Sequence, residues 1–100
     1  MLLSTTDLNK DYEVLGMVRG SEMKAVNLGK DISAFLRKIV GGNVKEYSEL
    51  LVEARDAALA EMEDEAEGMG ADAVIGVRFA TSTITSGAAE IVAYGTAVKF

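Results

Sequence analysis

At 100 residues with a net charge of −6, the chain has room for one domain and is too acidic to be read as a binder of nucleic acid or of an anionic membrane surface. It contains neither cysteine nor histidine. That excludes disulfides, zinc–thiolate sites, thiol nucleophiles and a Ser-His-Asp triad. Apolar residues are 49% of the chain, without tryptophan and with only 6% aromatics. The apolar mass is therefore aliphatic side chains and alanine, which predicts close packing of small groups and a second buried surface shared with a partner.

The opening residues, MLLSTTDL, have no charged n-region and no long apolar core, so they are not read as a signal peptide. No apolar run is long enough to span a bilayer. The expected location is cytoplasmic.

In chain order, residues 12–19 (YEVLGMVR) predict a strand with apolar groups on both sides, Val14 and Val18 on one and Leu15 and Met17 on the other. Gly16 interrupts it, where a bulge or a close backbone approach is expected. Residues 22–28 (EMKAVNL) form a second, shorter extended segment. A helix follows over 32–40, its stripe made by Ile32, Phe35, Leu36, Ile39 and Val40, with Asp31 as N-cap. Gly41 or Gly42 ends that helix in the left-handed region, and Asn43 with Glu46 forms a capping box for the next. The second helix runs from about 44 to 68 with Tyr47, Leu50, Leu51, Ala54, Ala58, Met62 and Ala66 on its apolar face, and Gly68 and Gly70 as stop signals. Strands are predicted over 73–80 and 89–100, joined through the hydroxyl-rich TSTITSG. In the last strand Ile91, Ala93, Gly95 and Ala97 share one face, and Val92, Tyr94, Thr96, Val98 and Phe100 the other.

Helices in the middle and strands at both ends give an α+β domain with a three-stranded antiparallel sheet and helices on one face. The sheet's second face is also apolar. An uncovered apolar face predicts closed association with other copies.

Candidate sites are few. Gly41, Gly42 and Asn43 read first as a corner between helices, and second as an anion site at a helix N-terminus. Arg78, in the middle of a strand, reads as an anion anchor or as an ion pair across a subunit interface, with Glu61 or Glu65 as its acid. Tyr94, beside Gly95, reads as a pocket wall or as packing. In EMEDEAE (61–67), Glu61, Asp64 and Glu65 stand at helical spacings that suit a hard cation such as calcium or magnesium, or simply form a solvated acidic face.

GMVRG (16–20), LRKIVGG (36–42), EARDAA (53–58), GADAVIGVRF (70–79) and AYGTAV (93–98) together resemble the YbjQ family, over nearly the whole chain. Asn43 stands where that family usually has glutamate, and Glu61 where arginine is common. The resemblance implies a dodecin-like β-α-β-β subunit assembled as a ring, a homopentamer or a pair of rings making a decamer, and a domain labelled for heavy metals. The ligand inventory argues against a soft-metal site, since no thiolate or imidazole is present. The sequence thus favours a non-enzymatic oligomeric binding or scaffold protein, without a cofactor, holding a small ligand or ion at subunit junctions. The alternative is an enzyme using paired carboxylates with a hard metal ion.

Overall fold

The computed structural model describes residues 1–25, 44–85 and 88–100. The helix expected over 32–40 and the Gly41–Gly42–Asn43 corner lie outside these residues. Within them the chain forms strands β1 (Leu2–Leu3) and β2 (Glu13–Ala25), helix α1 (Val44–Gly68), and strands β3 (Ala73–Thr85) and β4 (Ala88–Lys99). This is an α+β fold with one described helix and a four-stranded mixed sheet in the order β1-β3-β4-β2. The three long strands are antiparallel, as expected. The fourth, β1, pairs parallel with Ala73 and Val74 of β3. It is only two residues long, too short for any alternation to mark it in the sequence.

Two strands outrun their expected ends. β2 continues through Glu22–Ala25, pairing to Ala25↔Ala88, so the separate segment expected from residue 22 begins as part of β2. β3 continues through Thr81–Thr85. The threonines and isoleucine of that run are β-branched, and such side chains suit a pleated strand.

α1 is as predicted. Ala54, Ala58, Met62 and Ala66, spaced four apart, are fully buried, and Leu51 and Leu59 pack at the margins. The helix ends in a Schellman closure: Ala71 N–H donates to the Ala66 carbonyl (3.1 Å) and Gly70 N–H to the Glu67 carbonyl (3.0 Å). α1 lies along β2 and β4 and barely meets β3. Alanine makes this proximity possible, and Gly20 completes it. A Cβ at Gly20 would overlap the Ala58 carbonyl oxygen and sit 2.5 Å from the Met62 nitrogen. The core is Val18, Val74, Val77, Ile91, Ala93 and Ala97 beneath that alanine stripe.

Each outer pairing of β4 contains a bulge. On β2 the register passes from Val14↔Val98 to Gly16↔Ala97, leaving Leu15 extra. On β3 it passes from Ile75↔Thr96 to Arg78↔Tyr94, again with one residue too many. Gly16 (φ 148°) and Gly76 (φ 63°) supply backbone angles that residues with a side chain rarely adopt. The β2 bulge corrects the sequence expectation for this strand. Val14 and Val18 lie on opposite faces: Val18 is fully buried under α1, and Val14 joins Met17 on the other side.

The molecule measures 52 × 22 × 16 Å, with a radius of gyration of 16.6 Å. A compact 100-residue domain has about 13 Å. Long strands carrying helix on one face account for the difference.

Candidate functional site

The face of the sheet turned away from α1 carries the residues that composition singled out. Directly paired residues on adjacent antiparallel strands project to the same side. β4 contributes Val92, Tyr94, Thr96 and Val98. β2 places Ser21, Arg19, Met17 and Val14 opposite them, and β3 places Ala80, Arg78, Ile75 and Ala73. Val98 and Ala73 are fully buried, whereas Val14 (60% exposed), Met17 (67%) and Tyr94 (38%) are open. The last strand's division into two faces matches the sequence reading.

One row of this face joins three polar side chains: Arg19, Tyr94 and Arg78, in register across β2, β4 and β3. All three are exposed. Arg78 is anchored. Its Nη1 donates to the Thr5 carbonyl at 2.9 Å and to the Val77 carbonyl at 2.8 Å. Thr5 is held close because the N-terminal segment bonds the same strand, Ser4 N–H to the Val74 carbonyl (2.9 Å) and Val77 N–H to the Ser4 carbonyl (3.0 Å). Arg78 therefore meets backbone carbonyls within its own chain, and no described carboxylate pairs with it. Sequence reasoning identified Arg78 and Tyr94 and missed Arg19. The only signal was GMVRG, whose arginine cannot be matched to Tyr94 without the register.

The carboxylates fare differently. Glu61, Asp64 and Glu65 are exposed on α1. Glu61 overhangs β2, the edge strand: its Cβ lies 2.9 Å from where a Gly20 Cβ would be. Glu61 and Glu65 are exposed beside the buried alanine stripe. Among the described residues, no three acidic side chains come together as a group that could hold a metal ion. Gly41, Gly42 and Asn43 lie outside the described residues.

A separate contact closes the N-terminal segment. The Tyr12 hydroxyl donates to Asp7 Oδ1, which also accepts from the Leu8 N–H at 2.8 Å. The tyrosine bond first, then the backbone bond, hold the Asp7 carboxyl below its ordinary range. The same bond raises Tyr12 above its own. Further along, Lys10 Nζ lies 3.5 Å from the centroid of the Phe100 ring.

Residues 1–100 match the YbjQ family, described as "Putative heavy-metal-binding". The chain belongs to this family. It is 55% identical over 102 residues to a "UPF0145 protein" of Methanosarcina acetivorans, covering 99% of this chain and 96% of that one. It is 52% identical to a "UPF0145 protein" of Thermotoga maritima, with the same coverage. A crystal structure of a protein of unknown function from Pediococcus pentosaceus, assigned to the DUF74 family, superposes with a TM-score of 0.75. It covers 100% of this chain and 97% of its own at 16% identity, a likeness of fold alone. The YbjQ resemblance read from the five motifs is thereby borne out. The family's label names heavy metals, yet this member's described side chains offer no thiolate, no imidazole and no converging carboxylates.

Proposed function

We propose that this YbjQ-family chain is a non-enzymatic, self-assembling binding protein that holds a small ligand or ion at its subunit junctions. Its assembly is a homopentameric ring or two such rings stacked as a decamer, and its compartment is the cytoplasm. The observation that carries this reading is the sheet face opposite α1, where Val14, Met17 and Tyr94 stand exposed. Apolar groups of that size on a soluble subunit mark an interaction surface.

The sheet edges support the same reading. Among the described residues β2 is outermost, and α1 covers its face without pairing its edge. On the opposite side β1 pairs only Ala73 and Val74 of β3. Unpaired strand edges template association unless they are covered. A β2 edge meeting a β3 edge is a head-to-tail contact, and such contacts make a ring when the rotation between copies closes. The five-fold number comes from the family resemblance. No triad, nucleophile–base pair or carboxylate cluster favours an enzyme among the described residues.

Native mass spectrometry of protein purified from its source tests the proposal. Five or ten subunits with a co-purified small species is the expected result. A monomer overturns the assembly, and a turnover-competent metal on the α1 acids overturns the non-enzymatic reading.

A further inference from the structure

We propose that the Arg19–Tyr94–Arg78 row is a binding site for a doubly charged tetrahedral oxyanion, as free phosphate or as a phosphate monoester. This deepens the reading of the chain as a ligand-holding protein and rests on it.

The first argument is the backbone. Without the extra residue in β2, Arg19 would fall opposite Ala93 and point under α1. Without the extra residue in β3, Arg78 would also fall opposite Ala93. Two independent bulges, one on each side of β4, turn the two arginines onto the outer face beside the same tyrosine. Bulges characteristically re-aim side chains in this way. The same shifts seat Val18 and Val77 in the core, so the row and the core are locked to one register.

The second argument is the donor inventory. Arginine has five N–H donors in a planar fork and no acceptor. Arg78 commits its Nη1 to two backbone carbonyls. That fixes the guanidinium plane and leaves the Nε–Nη2 edge, the edge that grips an oxyanion through two parallel bonds. No described residue takes a hydrogen bond from Arg19 or from the Tyr94 hydroxyl. Neighbouring strands lie about 4.8 Å apart, so the two arginine backbones are about 10 Å apart, with the tyrosine between them. Arg78's head is held on the Thr5 side of β3, so Arg19, whose guanidinium no described residue holds, is the arm that reaches across Tyr94 toward an anion on Arg78's open edge.

The third argument is charge. The chain carries −6 overall. On the outer face of β2, β3 and β4, however, the charged residues among those described are Arg19, Arg78 and Glu90. Glu90 accepts from the Ser21 hydroxyl at 3.1 Å, one row beyond Arg19. A positive pair inside a negative molecule draws an anion to one place and repels it elsewhere. Glu90 sets a limit on that attraction, which provides a diagnostic variant.

The experiment is calorimetric titration of the assembled protein with inorganic phosphate and, separately, phenyl phosphate, in a chloride buffer. Circular dichroism and sedimentation accompany every variant. One site per chain is expected. Arg19→Gln and Arg78→Gln should each weaken binding at least tenfold, Tyr94→Phe several-fold, and Glu90→Gln should tighten it. Arg55→Gln, on α1, should have no effect. Should Arg78→Gln unfold the protein through its lost carbonyl contacts, Arg19→Gln and Glu90→Gln still decide. Equal affinity for both probes assigns the free oxyanion, and tighter phenyl phosphate assigns an ester. Absence of saturable binding, or binding indifferent to Arg19→Gln, overturns the proposal. A monomer that still binds phosphate overturns only the assembly, and an intact ring that ignores phosphate overturns only the site.

Discussion

Beneath α1 the sheet presents Gly20 of β2 with Ala93, Gly95 and Ala97 of β4, small groups that are all buried. The reverse side of the same two strands presents Val14, Met17, Arg19 and Tyr94, large groups that are all exposed. Among these residues the larger side chains are the exposed ones, although Val18 and Ile91 of the same strands are buried in the ordinary way. The helix-covered face gains its stability from proximity: alanine and glycine let backbones approach, and many short contacts replace a few large ones. The open face leaves Met17, Arg19 and Tyr94 exposed, while Val98 at its end is fully buried. The difference teaches that the core uses one half of each strand's alternation and leaves much of the other half open.

The most severe test of that contrast is at Gly20. Gly20→Ala adds one methyl group where backbone atoms of Ala58 and Met62 already stand. Backbone cannot rotate away, so a loss of about 3 kcal/mol is expected, the upper end for overpacking. Urea unfolding measures it, and a near-neutral result would mean that α1 is free to lift from β2. Next is Met62→Ala. Met62 is among the largest fully buried side chains, and its truncation should cost about 2–5 kcal/mol in the same assay.

The open face should behave in the opposite way. Met17→Glu, at a side chain 67% exposed in the single chain, should change subunit stability by no more than about 0.5 kcal/mol. Its effect should fall on assembly, read as a lower subunit count. A variant that unfolds without dissociating would place Met17 in the subunit core instead.

The smallest effect belongs to the Asp7–Tyr12 pair. Asp7 titrates below its ordinary 3.8, so the bond's stabilising contribution is present above that value and is lost as pH falls through the folded-state pKa. Tyr12 titrates above its ordinary 10.0, so its contribution is present below that value and is lost as pH rises through the raised one. Tyr12→Phe should return Asp7 toward 3.8 in an NMR titration and leave the rest of the chain untouched. An unmoved Asp7 would assign its shift to the Leu8 N–H alone.

These tests also sort what was legible in the residues. The alanine stripe of α1 was, because spacing by four is visible without any knowledge of partners. So was the division of β4 into two faces, because that strand contains no bulge. β2 was misread beyond Gly16 for the complementary reason: an extra residue reverses every later side chain, and alternation counted through it gives the wrong face. β3 was cut short because its hydroxyl run resembles a turn until β4 is placed beside it. The site was half legible. Arg78 and Tyr94 stood out as polar groups in apolar strands, while Arg19 became a partner only through pairings between segments more than 70 residues apart in the chain. Glu61, Asp64 and Glu65 drew attention by helical spacing, but the structure leaves all three exposed and without a converging group among the described residues.

Sedimentation equilibrium of the wild-type protein at micromolar concentration, run beside Met17→Glu, tests most directly whether the open face is an assembly surface. The account predicts five or ten subunits for the wild type and a smaller, still folded species for the variant. A well-folded wild-type monomer would contradict it, and a dimer or trimer would contradict the ring.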